Sequence, residues 1–262
     1  MQIVSSQINN TIYITFGLLL SALIVHFITK NMNFKYEEVK LVNIKHSTIV
    51  SLISTSILII IMYPLILIFI KSFIAGQLKI SSNSDLGVVI YIITAILEVV
   101  PVIIVIMLQK EGLCSLGITR NNIFKSIFIG LVSYTLFLVF IVIMKHQLKY
   151  IFLPDSSFSI WAFINCLFTA FGEEVLFRGY VQYRLTEWLG DKKGLIIAAL
   201  VFSCSHIFQR MMIINLSIIN AAISSILLFP AGLFLGYLFL KCKNIAASTI
   251  FHALYDFFAN FI

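Results

Sequence analysis

The sequence predicts an all-α, polytopic membrane protein with about eight transmembrane helices. Two observations carry this prediction. Sixty per cent of the 262 residues are hydrophobic and only 11% are charged, with a mean hydropathy of +1.05. A water-soluble domain is nearer a quarter charged, because its surface must be wetted. Apolar runs of membrane-spanning length also recur along the whole chain, each near the ~20 residues that cross about 30 Å of hydrocarbon. Disordered, collagen-like and disulfide-scaffold architectures are excluded by the same composition.

The first run, Ile12–Ile28, follows a flank without Lys or Arg, and positive charge arrives only at Lys30. That is the polarity of a first transmembrane helix with its N-terminus outside, and the reverse of a signal peptide. Thr48–Ile70, Leu86–Leu108 and Ile123–Met144 follow as plain apolar runs, with Glu98 and Pro101 in Leu86–Leu108. Phe158–Leu185 is the fifth span and carries most of the chain's intramembrane charge. The polar segment Gly190-Asp191-Lys192-Lys193-Gly194 reads as the turn into the sixth span, Leu195–Ile207, which is short for a crossing. Ile213–Leu240, interrupted by Pro230, and Ile245–Ile262 complete the set. No internal repeat or long linker divides the chain. Residues 1–157 form an N-terminal group of about four spans, and residues 158–262 a second group of about four.

The net charge of +7 does not indicate nucleic acid, because the basic residues sit between apolar runs and not on one face or tail. They read as topogenic charge in a multi-pass protein of the cell membrane, with the lipid bilayer as its partner. Numbered along the chain, the odd loops hold thirteen Lys and Arg and the even loops five. The odd-loop set includes Arg178 and Arg184, and eleven remain if both lie within the fifth helix. Either count puts the odd loops in the cytoplasm and both termini outside. Cys114, Cys166, Cys204 and Cys242 show no paired spacing and read as free thiols.

Ionisable groups at membrane depth are costly, so each is a functional candidate. They are Glu98, Glu173, Glu174, Arg178, His206, His252 and Asp256, and all but Glu98 fall in the second group of spans. Glu174 and Arg178, Phe202 and His206, and His252 and Asp256 are each four residues apart, on one helical face. Adjacent helical positions diverge by about 100°, so Glu173 and Glu174 face different neighbours. Glu173 lies 17 residues before Gly190 and His206 lies 16 after it. In an antiparallel hairpin both sit about 24–26 Å from the turn, at one depth. A single intramembrane His is more often a helix-bridging group than a catalyst, and Glu174–Arg178 reads first as an offsetting pair. Glu173, His206 and His252 together favour a site. Glu98 is as readily structural as active.

These three motifs, Glu173-Glu174-x-x-x-Arg178, Phe202-x-x-x-His206 and His252-x-x-x-Asp256, resemble those of the CAAX-protease and bacteriocin-processing intramembrane proteases. This is the type II CAAX prenyl endopeptidase family, also called the Abi family. Each motif alone is weak, but together, in order and within 84 residues, they are specific. The resemblance covers about Trp161–Asn260. It implies an intramembrane endopeptidase that hydrolyses a peptide bond with activated water. Glu173 is then the general base assisted by His206, Glu174 and Arg178 the supporting ion pair, His252 the oxyanion donor and Asp256 its assistant.

A carboxylate withdrawn from water suits a general base, and oxyanion donors are worth most where water is excluded. The family's third motif often ends in Asn, whereas this chain has Asp256. An ionised Asp cannot donate to an oxyanion. Either Asp256 is protonated, or it accepts from His252 and orients that ring, which is the favoured alternative. No cofactor is expected. The alternative is a divalent metal such as zinc on Glu173, His206 and His252, disfavoured by the missing HExxH spacing. Cys204 and Ser205 stand poorly for a dyad with His206, while Ser203, three residues away, is not excluded by spacing.

The expected partner is a peptide or protein substrate, either membrane-associated or a leader or precursor peptide as in bacteriocin processing. The resemblance suggests presentation from the cytoplasmic side, yet the depth estimate places the site more than halfway across from the cytoplasmic turn. The alternative function is a non-catalytic immunity or scaffold protein, for bacteriocin self-immunity or as a sensor-kinase partner. A transporter ranks third, since no interrupted helices occupy matching positions in two halves.

Overall fold

The computed structural model describes residues 2–35, 39, 41, 43–62, 64–65, 68, 85–145, 159–212 and 214–259. Its elements are helices α1 (Gln2–Lys30), α2 (Ile44–Ile57), α3 (Asp85–Leu108), α4 (Ile123–Lys145), α5 (Ile160–Glu174), α6 (Tyr183–Leu189), α7 (Asp191–Met212), α8 (Ile218–Ile226), α9 (Phe229–Cys242) and α10 (Ala246–Ala259). α2 continues into a π-helical turn at Leu58–Met62, and a π-helical stretch at Val175–Gln182 joins α5 to α6 in one rod. A short 3₁₀ turn, Leu113–Leu116, sits in the connection between α3 and α4. The described residues contain helices and no strand. Lys40, Lys71, Lys79 and Lys149, counted among the loop charges, lie outside the described residues, as do the expected end of the second span at Ile70 and residues 260–262.

Seven described helical rods are long and apolar enough to cross a membrane: Asn10–Lys30, Ile44–Ile61, Tyr91–Leu108, Ile123–Lys145, Ile160–Leu189, Asp191–Met212 and Ile218–Cys242. The protein is thus an all-α, multi-pass membrane protein. The eighth expected span corresponds to α10, whose described helix has 14 residues. Local chemistry starts several helices. Asn43, Ser159 and Ser217 cap α2, α5 and α8 by accepting from the amides of His46, Trp161 and Asn220. Pro230 stands in the first turn of α9, where its missing N–H costs nothing, and the seventh span breaks there into α8 and α9.

The sixth span departs from its expected bounds. The polar segment 191–194 is not a turn but the first turn of α7, which runs 22 residues from Asp191. The reversal is made by Gly190 alone, at φ +82° and ψ 160°, a backbone conformation that favours glycine. Asp191 at the helix start complements the macrodipole. Gly194 lets α7 press onto α6: a Cβ there would meet the Thr186 backbone N at 2.5 Å. Gly194→Ala is therefore expected to lower stability by about 1–3 kcal/mol, the usual cost of overpacking. That outweighs the ~1 kcal/mol an Ala gains in helix propensity. Gly112→Ala, where a Cβ meets nothing within 4 Å, is the control. Thermal denaturation of the purified protein in detergent checks this, and equal midpoints for the two variants would contradict the close approach.

Two hydrophobic clusters organise the bundle, and both mix the N- and C-terminal groups of spans. One joins Val102, Ile106, Leu116, Phe177, Tyr180 and Phe202. The other joins Leu18, Val25, Tyr134, Phe137, Phe234 and Phe251. The outer faces of α1 to α4 stay apolar and exposed, for example at Phe16, Phe27, Met107 and Phe128, as lipid-facing surfaces must. Hydrogen bonds gather the odd-numbered connections at one end. The Asn122 side chain exchanges hydrogen bonds with the Lys35 backbone at 2.9 and 2.7 Å. Asn244 donates to the carbonyls of Thr119 and Asn121 at 2.8 and 3.0 Å. Thr48 of α2 donates to the Arg184 carbonyl at 3.1 Å, bringing the Gly190 turn's side of α6 to that same end.

Candidate active site

α5, α7 and α10 converge their polar residues on one point. Glu173 Oε2 lies 3.9 Å from His206 Nε2 and 3.9 Å from His252 Nε2, linking three helices. Both gaps exceed direct hydrogen-bond range. Glu174, one residue on, faces elsewhere as helical geometry requires. It pairs with Arg178 at 3.3 Å and accepts from His252 Nδ1 at 2.9 Å. His252 Nε2 is 3.5 Å from Asp256 Oδ2. The structure therefore brings together all six residues singled out by spacing.

Ring orientations follow from what each nitrogen meets. His206 Nδ1 is 2.9 Å from the Phe202 carbonyl, which can only accept, so Nδ1 carries the proton. In the neutral ring Nε2, turned toward Glu173, is then an acceptor. The ring of His252 is held by Glu174 through Nδ1, and Asp256 faces its other nitrogen. Two carboxylates thus face this ring, Asp256 at 3.5 Å and Glu174 at 2.9 Å. The sequence separation of four gave Asp256 as the neighbour, but the buried Glu174 reaches the ring from α5.

Phe202 is the common floor of the cluster. Its ring packs edge-on to His206 at 4.8 Å and His252 at 6.0 Å, and the Arg178 guanidinium lies over it at 4.3 Å. A weakly hydrated guanidinium stacked on an aromatic face tolerates burial better than an ammonium would. Exposure is graded across the site: the Glu174 side chain is sealed at 0%, Glu173 and His206 are 15% exposed, and Asp256 is 37% exposed. The opening is thus on the Asp256 side.

Other expected candidates fall outside this cluster or beside it. The Ser203 hydroxyl donates back to the Ala199 carbonyl at 2.8 Å and is fully buried, away from His206. Ser205, judged no better placed, lies 3.2 Å from His206 Nδ1, the nitrogen remote from Glu173. Cys204 is exposed, and all four cysteines are free. Glu98 of α3 packs over Gly172, next to Glu173; a Cβ on Gly172 would come within 2.5 Å of its Oε2. Among the described residues no three His, Cys, Asp or Glu side chains converge as a metal cluster, and the set named for a divalent ion is spaced at 3.9 Å about Glu173.

One buried group was missed. Arg184, counted with the charges of loop five, is fully buried inside α6 and ion-pairs with Glu111. It also donates to Ser47 Oγ at 2.9 Å and to the Tyr180 carbonyl at 3.0 Å, and its guanidinium stacks on Tyr180 at 4.5 Å. Gly179 lets this segment approach: a Cβ there would strike the Leu116 carbonyl. Because Glu111 follows the third span and Arg184 ends the fifth, both read as ordinary interfacial charges. The one available signal was their opposite sign at one end of neighbouring spans.

Residues 155–258 match the protein family described as type II CAAX prenyl endopeptidase Rce1-like, a family of proteases. The matched stretch contains every residue of the three-helix cluster. No curated protein and no solved structure matches the chain.

Proposed function

We propose that this protein is an intramembrane endopeptidase in which Glu173 and His206 activate a water for attack on a peptide bond. The observation that carries the reading is Glu173 Oε2 standing 3.9 Å from imidazole nitrogens on two other helices. A water between Glu173 and His206 gives one proton to each acceptor and points its oxygen into the opening. Glu173 takes a proton as the oxygen adds to the peptide carbonyl. The negative charge that develops on the carbonyl oxygen is met by the Nε2–H of His252, whose ring carries a proton on each nitrogen between the Glu174 and Asp256 carboxylates. Glu173 then returns its proton to the departing amine, and the C–N bond breaks.

In this reading Glu174 and Arg178 act through other groups. Glu174 holds Nδ1 of His252 so that Nε2 faces the reacting carbonyl, and Arg178 balances the Glu174 charge. Asp256 flanks Nε2 at the mouth and balances the charge of the His252 ring. No metal is required by these steps. Activity is accordingly expected to survive prolonged chelation with o-phenanthroline or EDTA. Loss of activity that added zinc restores would replace activated water alone with a metal mechanism.

The geometry also supports a direction of approach. His206 lies six residues from the end of α7 at Met212, and Asp256 three from the end of α10 at Ala259, or about 9 and 5 Å along the axes. Glu173 is about 24–26 Å from the Gly190 end. With the Lys-rich odd loops in the cytoplasm of a cell membrane, substrate then enters from the outer half. A membrane-associated or leader peptide, as in bacteriocin processing, fits such access.

The test compares the peptides of cells expressing wild type or Glu173→Gln at equal membrane levels. Peptide termini found only with wild type are the expected result. Identical peptide sets, with any cellular phenotype retained by the variant, would sink the protease reading and favour a scaffold.

A further inference from the structure

Arg210 of α7 has no task in the proposed chemistry. It lies one helical turn past His206 on the same face of α7, about 6 Å farther along the axis. Its Nε is buried without a hydrogen-bond partner, and among the described residues no carboxylate pairs with it. Its electrostatic neighbours are His206 and the Tyr255 hydroxyl. A guanidinium at the end of a span can instead turn outward to the headgroups, but that does not account for a withdrawn Nε.

Arg210 borders a cavity of about 160 Å³ shared with Ser224, Tyr255, Asn10, Leu228 and Ala231. The Ser224 hydroxyl is also buried without a partner. The volume is several times the ~30 Å³ share of one water, enough for a carboxylate and the atoms that carry it. A guanidinium fork, a hydroxyl donor and a phenol around one space recognise an oxyanion. Tyr255 has both Asp256 and Arg210 as electrostatic neighbours, and Arg210 is also a neighbour of His206, so the cavity lies beside the three-helix cluster.

We propose that Arg210, with Ser224 and Tyr255, forms a subsite for a carboxylate of the peptide substrate. The ligand's being a peptide rests on the protease reading. An extended chain advances about 3.3 Å per residue, so a carboxylate at Arg210 lies about two or three residues from the bond cleaved. The carboxylate belongs either to an Asp or Glu side chain or to the chain terminus.

The experiment captures peptides on immobilised Glu173→Gln protein in nanodiscs and identifies them by mass spectrometry. The probe is a library in which Asp/Asn and Glu/Gln alternate at each position, made with free-acid and amidated ends. At least tenfold enrichment of the acid over its amide partner is expected, lost when Arg210→Gln is added and regained in part with Arg210→Lys. Enrichment confined to internal positions identifies a side chain, and enrichment that amidation abolishes identifies the terminus. Equal capture of acids and amides, or enrichment that persists in Arg210→Gln and in Ser224→Ala, overturns the subsite. Should the wild type cleave none of the captured peptides, enrichment still decides the subsite while the protease reading falls separately.

Discussion

Glu173→Gln is expected to slow hydrolysis of any substrate peptide by about 10²–10⁴-fold, the loss that follows removal of a positioned base. The amide keeps the size and the hydrogen-bonding oxygen but cannot take the proton from water. His206→Asn should cost a similar factor, because Nε2 faces the same water position as Glu173 Oε2. The two act as one unit, so the double variant should be hardly slower than the worse single variant. Purified protein in nanodiscs, assayed on a peptide found with wild type only, supplies the rates. A Glu173→Gln enzyme within tenfold of wild type, or fully additive losses, would remove Glu173 from the base role.

The largest stability effect is expected away from that site, at Arg184. Removing one partner of a buried ion pair leaves the other charge unpaired and costs about 3–5 kcal/mol. Arg184→Met strands Glu111 and also withdraws the donors to Ser47 and to the Tyr180 carbonyl. Glu111→Leu strands the guanidinium in the same way. The double variant Arg184→Met/Glu111→Leu should recover most of the loss, since an apolar pair of similar volume needs no solvation. Thermal midpoints in detergent test this. A double variant as unstable as the sum of the singles would show that Arg184 acts through its other hydrogen bonds and not through Glu111.

The site was legible in the sequence because helices impose a fixed period and apolar surroundings make each charge conspicuous. Glu173 and His206 could be set at one depth by counting from Gly190, and they meet at 3.9 Å. Counting could not show which carboxylate holds His252. That choice depends on side-chain direction between helices, and the 2.9 Å contact from Glu174 is invisible to spacing. Arg184 was hidden for the opposite reason: charge near a span's end is ordinary, so its burial left no trace in composition. The start of α7 was obscured because Asp191, Lys192 and Lys193 have turn-like polarity, although they suit the first turn of a helix leaving the membrane surface. The break at Pro230 was readable, since proline has one physical consequence wherever a helix would otherwise continue.

The π-helical stretch between Glu174 and Tyr183 has a consequence for how the chain tolerates length changes. Its i→i+5 bonding, seen where the Tyr183 amide reaches the Arg178 carbonyl, takes up one residue more per ring than an α-helix does. Glu173 and Glu174 lie on one side of it and the Arg184 pair on the other. Each side thereby keeps its own rotational phase about a shared axis. Rewinding the rod as a regular helix at full length would swing Arg184 by about 100° relative to Glu174, whereas deleting one residue within 175–182 as it rewinds would largely restore the phase. The stretch works as a splice between two registers, and so constrains which insertions and deletions the fifth span can carry.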